Sequence, residues 1–248
     1  MLKQLPCLFI FIILGLLPNL MKAQSNPGYL GKTQLLEFTT NTSYGAFVEY
    51  DFNVKVNFAL QYEKIINRKT GISAGIRIDN AKYRPNFDNT IIWDDATKRE
   101  YSITNYNPDY PDKNYFKYNC TELYIQLKKF IPIKGYIAPY GSYWGFELSA
   151  ARMALTENKL PFSPNIEITN EPIYAFVPAV IVGKRIIIAD KLSVNGFASM
   201  GTVFFHSAEV YLVTGWPDSP KEFLNYMMLT ELALSRLITV GVSVGYVF

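Results

Sequence analysis

The sequence predicts an all-β chain closed as an antiparallel, up-and-down transmembrane β-barrel of about eight strands. Three observations predict it. Residues 239–248 alternate apolar and small or polar side chains with period two to the final residue, the connections along the chain alternate between tight turns and long polar loops, and past an apolar leader no stretch has the length of a membrane-crossing helix. A secreted chain without spanning helices has one other way through a bilayer, the closed barrel, because only helices and closed barrels satisfy every backbone polar group in lipid.

Residues 1–23 read as a secretory signal peptide. Lys3 supplies a positive start, residues 8–17 form a short apolar run, Pro18 breaks it, and Ala23-Gln24 offers a small-residue cleavage point. The run is shorter than the about 20 apolar residues a spanning helix needs. Cys7 stands at the start of the run and not at its end, which argues against a lipid-modified cysteine; once the leader is removed, Cys120 has no partner for a disulfide or thiol-pair chemistry. Residues 24–31 are then a short Pro/Gly leader, and residues 32–248 the barrel domain. The formal net charge of +3 falls toward neutral when Lys3 and Lys22 leave with the leader, so nothing in the charge suggests a nucleic-acid partner. Tyr 18 and Phe 17 make up most of the 15% aromatic content, which suits strands and membrane-interface belts.

Residues 32–40 form a first strand with weak alternation, and residues 41–53 a loop with some strand extension. Alternation is clean from 54 to 64, where Val54, Val56, Phe58, Leu60 and Tyr62 oppose Lys55, Asn57, Ala59, Gln61 and Glu63. Residues 67–71 turn the chain tightly, and Ile72, Ala74, Ile76 and Ile78 then oppose Ser73, Gly75, Arg77 and Asp79. A soluble sandwich gives the same alternation with water on the polar side; the two readings differ in which face meets solvent.

Residues 83–115 are a long excursion rich in Asn, Asp, Tyr and Pro, read as a loop. Leu123, Ile125 and Leu127 restart a strand that closes at the turn 132–135. Tyr136, Ala138, Tyr140, Trp144, Phe146 and Leu148 follow on one face, with Gly141, Tyr143, Gly145, Glu147 and Ser149 opposite. Residues 156–172 are a second polar loop, 174–184 a strand, 189–191 a turn, 192–205 a less regular strand, and 207–225 a third loop. The last strand runs to Phe248, with only its final ten residues required in the bilayer. Short turns near Arg68, Lys134 and Asp190 thus alternate with long loops near Trp93, Asn165 and Trp216. That asymmetry is the one expected of short periplasmic turns and longer external loops.

The C-terminal row Val240, Val242, Val244, Tyr246 and Phe248 resembles the closing strand of bacterial outer-membrane β-barrels, and the whole mature chain is similar in plan to the small OmpA/OmpX-like class. The resemblance implies that this row is the assembly signal read by the barrel-assembly machinery, that the chain resides in the outer membrane, and that outer-membrane lipid surrounds it.

The inward row predicts a lumen polar network of Lys55, Glu63, Arg77, Asp79, Glu122, Lys128 and Glu147, with Glu231 in the same row. Such a row either lines a narrow, weakly selective pore or pairs internally to fill the interior, and a barrel of about eight strands has room only for side chains. Period two carried back from Val240 puts Arg236 on the lipid face, where mid-bilayer placement costs about 2–4 kcal/mol. Two placements compete: Arg236 at the outer rim among lipid phosphates, which keeps Phe248 on the periplasmic side, or a turn over residues 235–238. The rim is preferred. His206-Ser207 is a candidate base and nucleophile, but strand neighbours point to opposite faces and no G-x-S-x-G elbow accompanies them. Asp88, Asp94, Asp95, Asp109 and Asp112 fit no EF-hand spacing. No phosphate loop, dinucleotide fingerprint or metal constellation is present in the sequence, so no cofactor is expected. The functional expectation is a non-enzymatic barrel with a structural, adhesive or surface-interaction role through its external loops and an unidentified surface ligand. The alternatives are a small transport or ligand-conducting, porin-like barrel and a lipid-modifying enzyme.

Overall fold

A computed structural model describes residues 31–44, 54–83, 91–94, 99–102, 116–131, 138–158, 171–207 and 220–248. The strands are β1 (Gln34–Tyr44), β2 (Val54–Asn67), β3 (Thr70–Tyr83), β4 (Ile91–Asp94), β5 (Arg99–Ser102), β6 (Phe116–Phe130), β7 (Gly141–Asn158), β8 (Ile173–Ile188), β9 (Leu192–Gly201), β10 (Phe205–His206) and β11 (Thr239–Val247). Among the described residues one helix, α1 (Pro220–Leu237), precedes β11.

Eight of the strands close a barrel in the order β9-β8-β7-β6-β3-β2-β1-β11, with β11 pairing back onto β9 and every pairing antiparallel. The seam joins the two ends of the described chain: Leu35 opposes Val247, and Gln34 and Phe248 exchange backbone hydrogen bonds of 3.0 and 2.9 Å. Closure leaves none of the eight barrel strands as a one-sided edge strand. β10 continues the line of β9 along β8 after an interruption, which Thr202 N–H to Pro178 C=O (3.2 Å) and Phe204 N–H to Phe176 C=O (2.8 Å) bridge.

Alternation sorts the side chains inside out. Leu36, Phe38, Phe58, Leu60, Ile76, Leu123, Phe146, Val180, Val182 and Val242 are exposed on the outer face, while Glu37, Asn57, Gln61, Glu63, Arg77, Glu122 and Arg185 are buried on the inner one. A soluble barrel does the reverse on its wet side. A one-residue slip of register would exchange the two sets, so the pairing is strongly specified.

The excursion 83–115 contains the small hairpin β4–β5, a separate two-stranded sheet. More consequentially, residues 220–237 form a helix where a loop followed by a rising strand is expected from the terminal alternation. The local chemistry explains it. Pro220 opens the helix, where its missing N–H costs nothing, Glu222 stands in the first turn and Arg236 in the last, and Lys, Glu, Leu, Met and Ala dominate between them. Leu224, Met228 and Leu232 recur at a spacing of four and are all buried. At the C-terminus the Thr239 hydroxyl donates to Ser235 C=O at 3.1 Å, occupying a carbonyl the helix leaves open, and the Ser235 hydroxyl donates back to Leu232 C=O at 2.9 Å. The β-branched run beginning at Ile238 then returns the chain to a strand. No described helix is long and apolar enough to cross a membrane.

The wall is uneven, and α1 uses that. β6, β7 and β8 run 15, 18 and 16 residues, against 11, 10 and 9 for β1, β9 and β11. The extra height carries an apolar inward face of Phe116, Tyr118, Cys120, Ala151, Met153, Ile173, Ala175 and Val177, and Leu224, Met228, Leu229 and Leu232 of α1 pack against it as one core cluster. The polar lumen therefore has an apolar upper storey closed by a helix.

Candidate functional site: a filled polar lumen

Two linked ionic clusters occupy the lumen. The first is centred on Arg185, near the end of β8, whose guanidinium reaches Glu63 Oε1 and Oε2 at 2.8 and 2.9 Å and Glu37 Oε2 at 2.7 Å. Lys128 Nζ donates to Glu63 Oε2 at 2.6 Å, and the Ser193 hydroxyl and Gln61 amide complete Glu37 at 3.0 and 3.1 Å. The guanidinium also lies over the rings of Phe130 and Tyr143, at 5.6 and 5.9 Å from their centroids. All four charged side chains of the cluster are buried, so each depends on the others for solvation.

The second cluster is centred on Glu122 of β6. Arg77 donates to Glu122 Oε2 at 2.9 Å and to both oxygens of Glu147 at 3.1 and 3.2 Å, and it stacks over Tyr124 at 4.8 Å. Gln126 donates to Glu147 Oε2 at 2.6 Å and accepts from the Ser73 hydroxyl at 3.1 Å. Gln61 connects the clusters: it accepts from the Tyr124 hydroxyl at 3.3 Å and donates to Glu37. Arg77, Lys128, Arg185 and Arg236 thus balance Glu37, Glu63, Glu122 and Glu147.

Arg236 requires a correction. It does not lie at the outer rim in contact with lipid. It is 4% exposed, on the last turn of α1, and its Nε and Nη2 both donate to Glu122 Oε1, the former at 2.8 Å. The helical turn, absent from a period-two reading, rotates the side chain inward, and Glu122 supplies the counter-charge that lipid cannot. With its amide oriented by its neighbours, Asn57 donates to Asp79 Oδ1 at 3.0 Å and accepts from Arg236 Nη1 at 3.2 Å, so Asp79 belongs to the same assembly. Glu231, also buried, lies on α1 and not on a strand. The side chain of Lys55 lies outside the described residues.

Glu37 and Arg185 are central to the lumen but absent from the expected network. The signal for Glu37 was its place between outward Leu36 and Phe38. Arg185 falls one residue beyond the expected end of its strand at Lys184, whereas β8 continues to Ile188. Between the clusters, among the described residues, lies a cavity of about 10 Å³ bordered by Asn41, Gln61, Arg77 and Tyr124, room for about one water. Both polar atoms of the Asn41 side chain and the Ser43 hydroxyl lack a protein partner nearby.

Elsewhere the chemistry is sparse. The Ser207 hydroxyl accepts from Tyr174 N–H at 2.9 Å, and His206 precedes it at the end of β10. Among the described residues no group of three or more His, Cys, Asp or Glu is arranged to hold a metal ion. Val240, Val242, Val244, Tyr246 and Phe248 form one exposed outward row on and just beyond β11, with the Tyr246 and Phe248 rings stacked at 6.2 Å.

No protein-family model matches the chain, and no curated protein matches it. Among solved structures the chain is similar to Ail, the attachment invasion locus protein of Yersinia pestis, both alone and in complex with the heparin analogue sucrose octasulfate. The identity is 8%, covering 88% of this chain and 97% of that one, at TM-scores of 0.39 and 0.40. It is also similar to the N-terminal β-barrel domain of Pseudomonas aeruginosa OprF, at 7% identity over 88% of this chain and 99% of that one, with a TM-score of 0.38. The overlaps are slight and carry nothing about a ligand or partner of this chain.

Proposed function

We propose that this chain is a non-enzymatic outer-membrane barrel whose interior is a structural filling and whose external loops meet the surface partner. The observation that carries the reading is the pairing of four cations with four carboxylates inside a wall whose outer face is apolar. In water that outer face would be an exposed apolar surface far larger than soluble monomers carry; in a bilayer it is the solvated side. Among the described residues the paired side chains occupy the lumen, and α1 packs against the upper end of its tall wall. Transport through the barrel is therefore the weaker use of this architecture, and the loop-bearing end is the free surface. The outward row ending in Phe248 serves as the assembly signal in this reading, with lipid as the surrounding partner.

The test is topological. An epitope inserted within residues 159–170 is expected to bind antibody on intact cells, and the protein to fractionate with outer membranes. Labelling only after lysis, or recovery in the soluble periplasmic pool, contradicts the proposal.

A further inference from the structure

We propose that the outer face of β6–β7–β8 near the short-turn end is a binding site for the headgroup of an anionic phospholipid, built by Lys129, Ser142, Trp144 and Lys184. The inference rests on the membrane placement proposed above. Cross-strand register sets these residues side by side: Lys129 opposes Trp144, and Ser142 opposes Lys184. All occupy the outward parity of their strands, continuing the rows of Leu127, Phe146 and Val182. Lys129 and Lys184 are exposed, Ser142 is half-buried, and Trp144 is 40% exposed.

The chemistry points to a phosphate at the edge of an apolar surface. Lys129 Nζ lies over the Trp144 ring at 5.8 Å, a cation–π contact that holds the ammonium beside the indole on the outer face. Neither lysine is paired with a carboxylate among the described residues, in contrast to the lumen, where the charged side chains are paired. Beside Lys184 stands the exposed Gly196, which puts no side chain next to the lysine and leaves the surface there open. Two unpaired cations flanking a hydroxyl and an indole fit a phosphodiester, while Phe146 and Val182 on the same face suit the acyl chains. Outer-face lysines with no site would attract anionic lipid only diffusely; here register puts one lysine on each side of β7, level with Trp144 and Ser142.

Trp144 is a built-in reporter. In a Trp93→Phe/Trp216→Phe background it is the only indole of the three in the chain. The protein is reconstituted into phosphatidylcholine vesicles carrying equal mole fractions of either brominated phosphatidylglycerol or brominated phosphatidylcholine. The expected result is stronger quenching by the anionic lipid, corresponding to a roughly five-fold preference or more. Lys129→Gln/Lys184→Gln is expected to bring that preference close to one while quenching by brominated phosphatidylcholine persists. Equal quenching in the parent protein, or a preference the double variant retains, overturns the site and leaves the membrane reading standing. Absence of quenching by either lipid overturns both.

Discussion

Arg236 of α1 and Glu122 of β6, 114 residues apart in the chain, meet in the lumen with Arg236 Nε 2.8 Å from Glu122 Oε1. This contact fastens the helix to the barrel floor beneath it, while Leu224, Met228 and Leu232 hold its apolar face to the wall above. Glu122 is then shared between Arg236 and Arg77, and neither can be removed without leaving buried charge poorly compensated.

Arg236→Met is therefore expected to destabilise the folded barrel by about 3–5 kcal/mol, the range for breaking a buried ion pair. Urea unfolding in lipid vesicles followed by tryptophan fluorescence measures it. Arg152→Met, at an exposed outward position on β7, serves as the control and is expected to change stability by less than about 1 kcal/mol. Equal effects of the two variants would remove Arg236 from the lumen.

Arg185 and Lys128 offer a ranking within the other cluster. Arg185→Met deletes three charge-assisted hydrogen bonds and strands Glu37 and part of Glu63, whereas Lys128→Met leaves Glu63 held by both arms of Arg185. The arginine variant is expected to cost about 3–5 kcal/mol and the lysine variant less, in the same unfolding assay. The reverse order would contradict the geometry.

Two inward glycines make room for two tyrosines. A Cβ at Gly75 would stand 2.6 Å from both the Tyr124 hydroxyl oxygen and the Leu60 carbonyl, and one at Gly183 2.6 Å from the Tyr143 hydroxyl oxygen and 2.8 Å from the Gly196 carbonyl. Because backbone atoms form part of each notch, Gly75→Ala and Gly183→Ala are expected to cost about 1–3 kcal/mol through overpacking. Gly196→Ala meets nothing within 4 Å and is expected to be near neutral. Refolding yield, read as the fraction of heat-modifiable protein on a detergent gel, compares the three.

The eight-strand barrel was legible because period two survives in most strands and because turns and loops alternate, both direct consequences of a wall with one lipid face and one polar face. Most of the expected lumen residues lie where parity puts them: Glu63, Arg77, Asp79, Glu122, Lys128 and Glu147 are buried. What period two could not reveal is α1. Its residues repeat at a spacing of four, and carrying the terminal alternation backward through Ile238 assigned Arg236 to the wrong face. Leu224, Met228 and Leu232, with Pro220 before them, were a readable helix signal. Arg185 was lost for a different reason: a charged pair, Lys184-Arg185, looks like a strand end, and only the register with Ser142 and Gly141 shows one cation outside and the other within.

Phe248 closes the seam against Gln34 with reciprocal backbone hydrogen bonds and stacks its ring on Tyr246 at the outer face. Deleting it is expected to lower the yield of folded protein in outer membranes several-fold, while an epitope insertion in residues 159–170 leaves that yield unchanged; quantitative blotting of unboiled samples compares them. Normal insertion without Phe248 would contradict the assembly-signal role proposed for it.

The central claim is that charge pairing and α1 fill this barrel. Single-channel recording of the purified, refolded protein in a planar bilayer tests it most directly. A filled lumen gives a silent bilayer after insertion, with insertion verified by protease protection of the same preparation. Reproducible unitary openings from the intact chain would contradict it.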